Sequence, residues 1–154
     1  MLGINPAVRN DMVWAMAQDS LRKMHSLKMP AEKVACVVKC ASILFRSLNL
    51  ARVNTEAANS SGASAGVDPL SAPGADDFLP VFIYVVLKSN VAKLYSNCEF
   101  IQYFLNSSQL RSQSGYFFIS LRSALEFIMN LDAESINMDP EVFDKKLAEA
   151  EKLI

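Results

Sequence analysis

Little in this chain is equipped for covalent chemistry. Its 154 residues include a single histidine and three cysteines. His25 has no nucleophile or ligand set near it in sequence, and an odd number of cysteines builds no disulfide framework. Cys36 and Cys40, one helical turn apart, would make half a zinc site, but no second pair completes it, so they read as buried structural thiols. No GxxxxGK phosphate loop, HExxH or GxSxG motif occurs. Lys and Arg number 15 against 16 Asp and Glu, with no basic block, which argues against nucleic acid as a partner. No segment alternates apolar and polar residues as a strand would, and no internal repeat is visible. No basic-plus-apolar leader is seen either. The expectation is a cytosolic protein, or a cytosolic piece of a larger one, without cofactor or metal.

What is present is hydrophobic. Apolar residues make up 51% of the chain, enough to build the core of one ordinary domain. The stretch Gly74–Asn90, GADDFLPVFIYVVLKSN, organises the rest. From Phe78 to Leu87 it is apolar except for Pro80 and the hydroxyl of Tyr84. A helix apolar on all sides must be wrapped by other helices or by lipid. This run ends at Lys88, short of the roughly 20 residues of a membrane span, so it reads as the buried central helix of a layered domain. Asp76 and Asp77 stand at its start, where the partial positive charge of a helix N-terminus favours them. Pro80 is placed near the first turn, where a missing N–H costs little.

Other helices surround it in sequence. Val13, Trp14, Ala17, Leu21 and Met24 form one stripe between about Arg9 and Leu27. Pro30 opens a second helix, to about Leu48, and residues 51–73 read as a flexible loop rich in Ala, Ser, Gly and Asn. Leu94, Phe100, Ile101 and Phe104 mark a helix after the central one. In Tyr116–Leu131, Phe117, Leu121, Ala124, Leu125 and Ile128 face a core, while Tyr116, Ile119, Ser120 and Ser123 share another face. Asp139-Pro140 starts a last helix. The fold class is all-α: a single domain, 1–154, of about six helices.

These residues resemble the VPS-nine (vacuolar protein sorting nine) domain family. The likeness starts from GADDFLPVFIYVVLKSN and continues through Leu94, Ser96 and Asn97, Gly115-Tyr116-Phe117-Phe118, Leu121, Ser123, Ala124, Phe127-Ile128 and Leu131-Asp132-Ala133. Upstream, Trp14 and Lys28–Cys40 fit the first two helices. The resemblance implies a guanine-nucleotide exchange factor for a Rab-five-type small GTPase of early endosomes, preferring the nucleotide-free partner. It implies Asp76 as an acidic finger reaching the nucleotide site and Tyr116 as a catalytic contact from the neighbouring helix. Pro80, Ile119 and Ser120 are implied on the partner surface. Two departures stand out: Val91 and Ala92 where the family has prolines, and Ile119 where it has threonine. Family members commonly carry a helical bundle before this domain. The alternative is a helical module that binds a small GTPase or another protein without promoting exchange.

Overall fold

Helix ends fall where side chains satisfy the end groups. Asn10 caps one start by accepting from the amide of Val13, Ser112 another from Gly115, and Asp139 a third from Glu141 and Val142. The computed structural model describes residues 2–59, 75–106, 108 and 111–152, and the side chains of 2–54, 77–106, 108 and 111–152. Among the described residues the chain forms six α-helices and no strand. These are α1 (Asp11–Arg22), α2 (Pro30–Asn59), α3 (Ala75–Ser89), α4 (Leu94–Phe104), α5 (Gln113–Met129) and α6 (Pro140–Glu151). Short 3-10 turns lie at Pro6–Val8, Lys23–Ser26 and Glu134–Ile136.

Two helices share the centre. α2 packs against α1, α3, α4 and α5, while α3 packs against α1, α2 and α5. By length and composition Pro30–Asn54, of mean hydropathy 1.6, is apolar enough to cross a membrane. Here Val37, Cys40, Ala41 and Leu44 are wholly buried against the neighbouring helices, so that apolarity serves the core. α6 stands apart, with no buried residue.

Two sequence expectations change. α2 does not stop near Leu48 but continues to Asn59, so 51–59 is helix rather than loop. Ala51, Arg52, Glu56, Ala57 and Ala58 are good helix formers, so propensity continues the helix where the apolar period has faded. Residues 60–74 lie outside the described residues. Pro80 is the sixth residue of α3, inside the helix rather than in its first turn, because the helix already begins at Ala75. Its ring offers no N–H to the carbonyl four residues back, that of Asp76.

The far end of α3 is tied down. Arg22 Nε donates to the carbonyl of Ser89 at 3.0 Å, and Arg22 is steadied by Asp19 at 2.6 Å. A cation at a helix C-terminus complements the dipole. Asn90 and Lys93 then adopt left-handed backbone, and α4 leaves at 116° to α3. This corner lacks the family's prolines, yet it is held. Asn97 Nδ2 donates to the carbonyls of Ala92 (3.3 Å) and Lys93 (3.0 Å), and the buried ammonium of Lys33 donates to Asn97 Oδ1 at 2.7 Å and to the Met24 carbonyl at 2.9 Å.

Candidate partner groove

Three phenylalanines bring the starts of α3 and α5 together. Phe45 of α2 stacks on Phe78 with centroids 4.4 Å apart, and Phe117 of α5 lies 5.6 Å from Phe45 and 6.2 Å from Phe78. All three belong to the core or pack against it, and edge or offset contacts among such rings fix helix register as well as burying area. The neighbours of these anchors in sequence point outward. Asp77 is exposed beside Phe78, and Tyr116, its ring 5.5 Å from that of Phe117, is 49% exposed. Asp76 lies in the first turn of α3, but its side chain is outside the described residues.

On α5, helical rotation of about 100° per residue sets Tyr116 between Ile119 on one side and Ser120 on the other. Ser120 is half-buried and its hydroxyl donates to the Tyr116 carbonyl at 3.0 Å. Ile119, 51% exposed, stands further out on the crest. Tyr116, Ser120, Ser123 and Phe127 therefore follow one edge of α5. Pro80 is half-buried at the foot of α3. The structure thus puts Tyr116, Ile119 and Ser120 on one face of α5, while Asp77 and Pro80 border a cavity with Leu48 and Arg52 of α2.

The edge of α3 facing this surface was missed by sequence reasoning. The helix is not enclosed on all sides: Leu79 is 38% and Leu87 47% exposed. With Ile83 they recur every four residues, a spacing that marks one side of a helix. In a run apolar at nearly every position, that stripe had no contrast to show it. Ile83 and Leu87 line an apolar cavity with Phe127 and Ile128, so the C-terminal halves of α3 and α5 lie side by side. Arg52, on the unexpected extension of α2, lines a small cavity together with Asp77 and Pro80.

Nothing in the described residues favours metal or thiol chemistry. No three His, Cys, Asp or Glu side chains among them come together to hold an ion. Burial pushes the Cys40 thiol far up and the Cys98 thiol up to about 11, and it raises Cys36 as well. A metal ligand or nucleophile needs the opposite shift.

Among the described residues the fold is all-helical, with an apolar cavity at the far ends of α3 and α5. The family model described as the vacuolar sorting protein 9 (VPS9) domain matches residues 14–133, and the chain belongs to this family. It is 38% identical over 149 residues to vacuolar protein sorting-associated protein 9A of Arabidopsis thaliana, covering 97% of this chain and 26% of that protein. It is 36% identical over 140 residues to the Rab5 GDP/GTP exchange factor of Homo sapiens, covering 90% of this chain and 25% of that protein. The chain thus spans about a quarter of the length of these relatives.

Proposed function

We propose that this domain is a guanine-nucleotide exchange factor for a Rab-five-type small GTPase. The observation that carries the reading is the contact between Phe78 of α3 and Phe117 of α5, which brings together the starts of the two helices that carry the proposed site residues. Membership of the VPS9 family, and the name of the human relative, support the same reading. GDP is held on such a GTPase by phosphate-loop amides, a lysine and a magnesium ion. The carboxylate of Asp76 is the group proposed to reach that site, where it pairs with the lysine and repels phosphate. Tyr116, Pro80, Ile119 and Ser120 seat the switch regions whose displacement loosens the metal. Because coupling is reciprocal, a surface that weakens nucleotide binding is itself weakened by nucleotide. The domain therefore prefers the empty GTPase and is released when GTP enters. It changes the rate of exchange and not the equilibrium, and its place of action is the cytoplasmic face of early endosomes. One observation favours the second reading, a module that binds without exchange: Ile119 offers no hydroxyl where the family has one.

Stopped-flow release of fluorescent GDP from purified Rab GTPases tests the proposal. Asp76→Ala is expected to slow exchange by orders of magnitude while removing at most about 0.5–2 kcal/mol of helix-start stabilisation. Asp77→Ala loses the same charge about 100° away around the helix and should be much milder. Equal, wild-type rates for both variants would remove the acidic finger from the account.

A further inference from the structure

Pro80 weakens the turn that carries the acids. As the sixth residue of α3 it has no N–H to offer the carbonyl of Asp76, so the helix start is short of one backbone hydrogen bond. Against that turn lies the extension of α2. A cavity of about 210 Å³ is lined by Leu48 and Arg52 of α2, by Asp77 and Pro80 of α3, and by Gly3 and Ile4 of the N-terminal strap, residues 2–8. Among the described residues, Arg52 and Asp77 are the only charged side chains of that lining, one of each sign. Arg52 is half-buried with its Nε out of reach of water, and Asp77 is exposed. A cation partly withdrawn from water is costly unless negative charge is near. The positive end of α3 beside it raises that cost.

We propose that Arg52 is a positioning residue for exchange: its guanidinium holds the acid-bearing first turn of α3 so that Asp76 is presented to the nucleotide site. The role rests on the exchange reading. A turn that lacks a backbone bond takes its direction from something outside the helix. Arg52 supplies that reference, because it is rooted in α2 one turn beyond Leu48, and Leu44 and Leu48 are both buried in the core. Its charge is opposite to that of the turn, and attraction between opposite charges is strongest where water is thinned out, as on the wall of a small cavity. The second acid then has a task of its own. Asp77, on the cavity wall, answers Arg52, and Asp76, about 100° away around the helix, is left for the partner. Arg52 itself meets neither nucleotide nor GTPase and acts through the turn.

Arg52→Met removes the charge and keeps a long apolar stem. GDP release from a panel of Rab GTPases, measured against domain concentration, is read beside a thermal melt and amide hydrogen exchange. The variant should melt within a few degrees of wild type. Its maximal release rate should fall roughly tenfold, while the concentration giving half that rate stays within about twofold, as misplacement of an acting group predicts. The amides of Leu79 and Val81, which close the first turns of α3, should exchange faster, and those of α5 should not change. Arg52→Lys, which keeps the charge, should recover most of the rate. In an Asp76→Ala background Arg52→Met should cost nothing further, whereas in a Tyr116→Ala background it should cost the same factor as in wild type. An equal further loss in both backgrounds would make Arg52 a general support of the fold and overturn the proposal. A wild-type or faster maximal rate for Arg52→Met would overturn it too, and the exchange reading stands if Asp76→Ala is then still defective. If wild type accelerates release from no member of the panel, the exchange reading falls and the positioning role with it. Should Arg52→Met not fold, Arg52→Gln takes its place, with the same results expected and the same results counting against it.

Discussion

Phe78 and Leu79 are neighbours in sequence and belong to different regions of the molecule, and the same is true of Phe117 and Tyr116. Phe78 and Phe117 are buried in the aromatic junction, while Leu79 and Tyr116 stand on the open edge. The junction holds the two helices in register, and the edge is what the helices present. One residue of offset thus separates a position whose loss costs the fold from one whose loss costs the surface. This is why α3, almost uniformly apolar, serves both purposes without a change of composition.

The comparison breaks first on the core side. Val85 is fully buried, and Val85→Asp introduces an unpaired charge there, at a cost of several kcal/mol, against a total stability of about 5–15 kcal/mol for a typical domain. The expected outcome is a chain that does not fold, seen as the absence of a cooperative melt by circular dichroism. A soluble variant with a sharp transition would show that α3 is not part of the core.

A smaller effect is expected at the corner between α3 and α4. Asn97→Ala removes one of the two acceptors of the buried Lys33 ammonium and both hydrogen bonds that close the turn. Hydrogen bonds to charged groups are worth roughly 1.5–3 kcal/mol, and urea unfolding should lose stability in that range while exchange, if assayed, follows the folded fraction. A change below about 0.5 kcal/mol would mean that Lys33 finds another acceptor.

The sequence made the core face readable and the edge unreadable, for one physical reason. Burial requires apolar residues, so Trp14, Leu21 and Leu121 announced themselves by period, and all are buried. Exposure does not require polar ones. Leu79 and Leu87 carry no mark that separates them from Val81 or Val85, and only the third dimension shows that α5 covers one side of α3 and leaves the next open. Tyr116 and Pro80 were singled out through family resemblance alone. Arg52 escaped because the helix that carries it lost its period before it ended. The strap at Leu2–Ile4 escaped because a short apolar segment outside any helix gives no period at all.

On the edge itself the effects on stability should be slight. Ile119 is half in water, so Ile119→Thr should shift stability by no more than about 0.5 kcal/mol. Exchange should hold or rise by up to roughly tenfold, the value of one regained hydrogen bond. A large loss would show that the partner meets Ile119 as an apolar contact. The smallest signal is chemical. With its thiol pushed up to about 11, Cys98 stays protonated at pH 8, and Cys40 is shifted in the same direction. Maleimide labelling of the native protein at that pH should therefore be confined to Cys36, with the other two reacting only after denaturation.

The central claim is that Tyr116 acts on a partner and Phe117, one residue on, acts on the fold. Parallel measurement of melting temperature and of GDP release from a Rab-five-type GTPase with Tyr116→Ala and Phe117→Ala tests it most directly. Phe117→Ala should lose roughly 3–5 kcal/mol of stability, with exchange falling only as the folded fraction does. Tyr116→Ala should melt within a few degrees of wild type and lose exchange by about a hundredfold or more, the scale of a side chain contributing at least 2.7 kcal/mol to the exchange transition state. A Tyr116→Ala variant that melts normally and releases GDP at the wild-type rate would contradict the account.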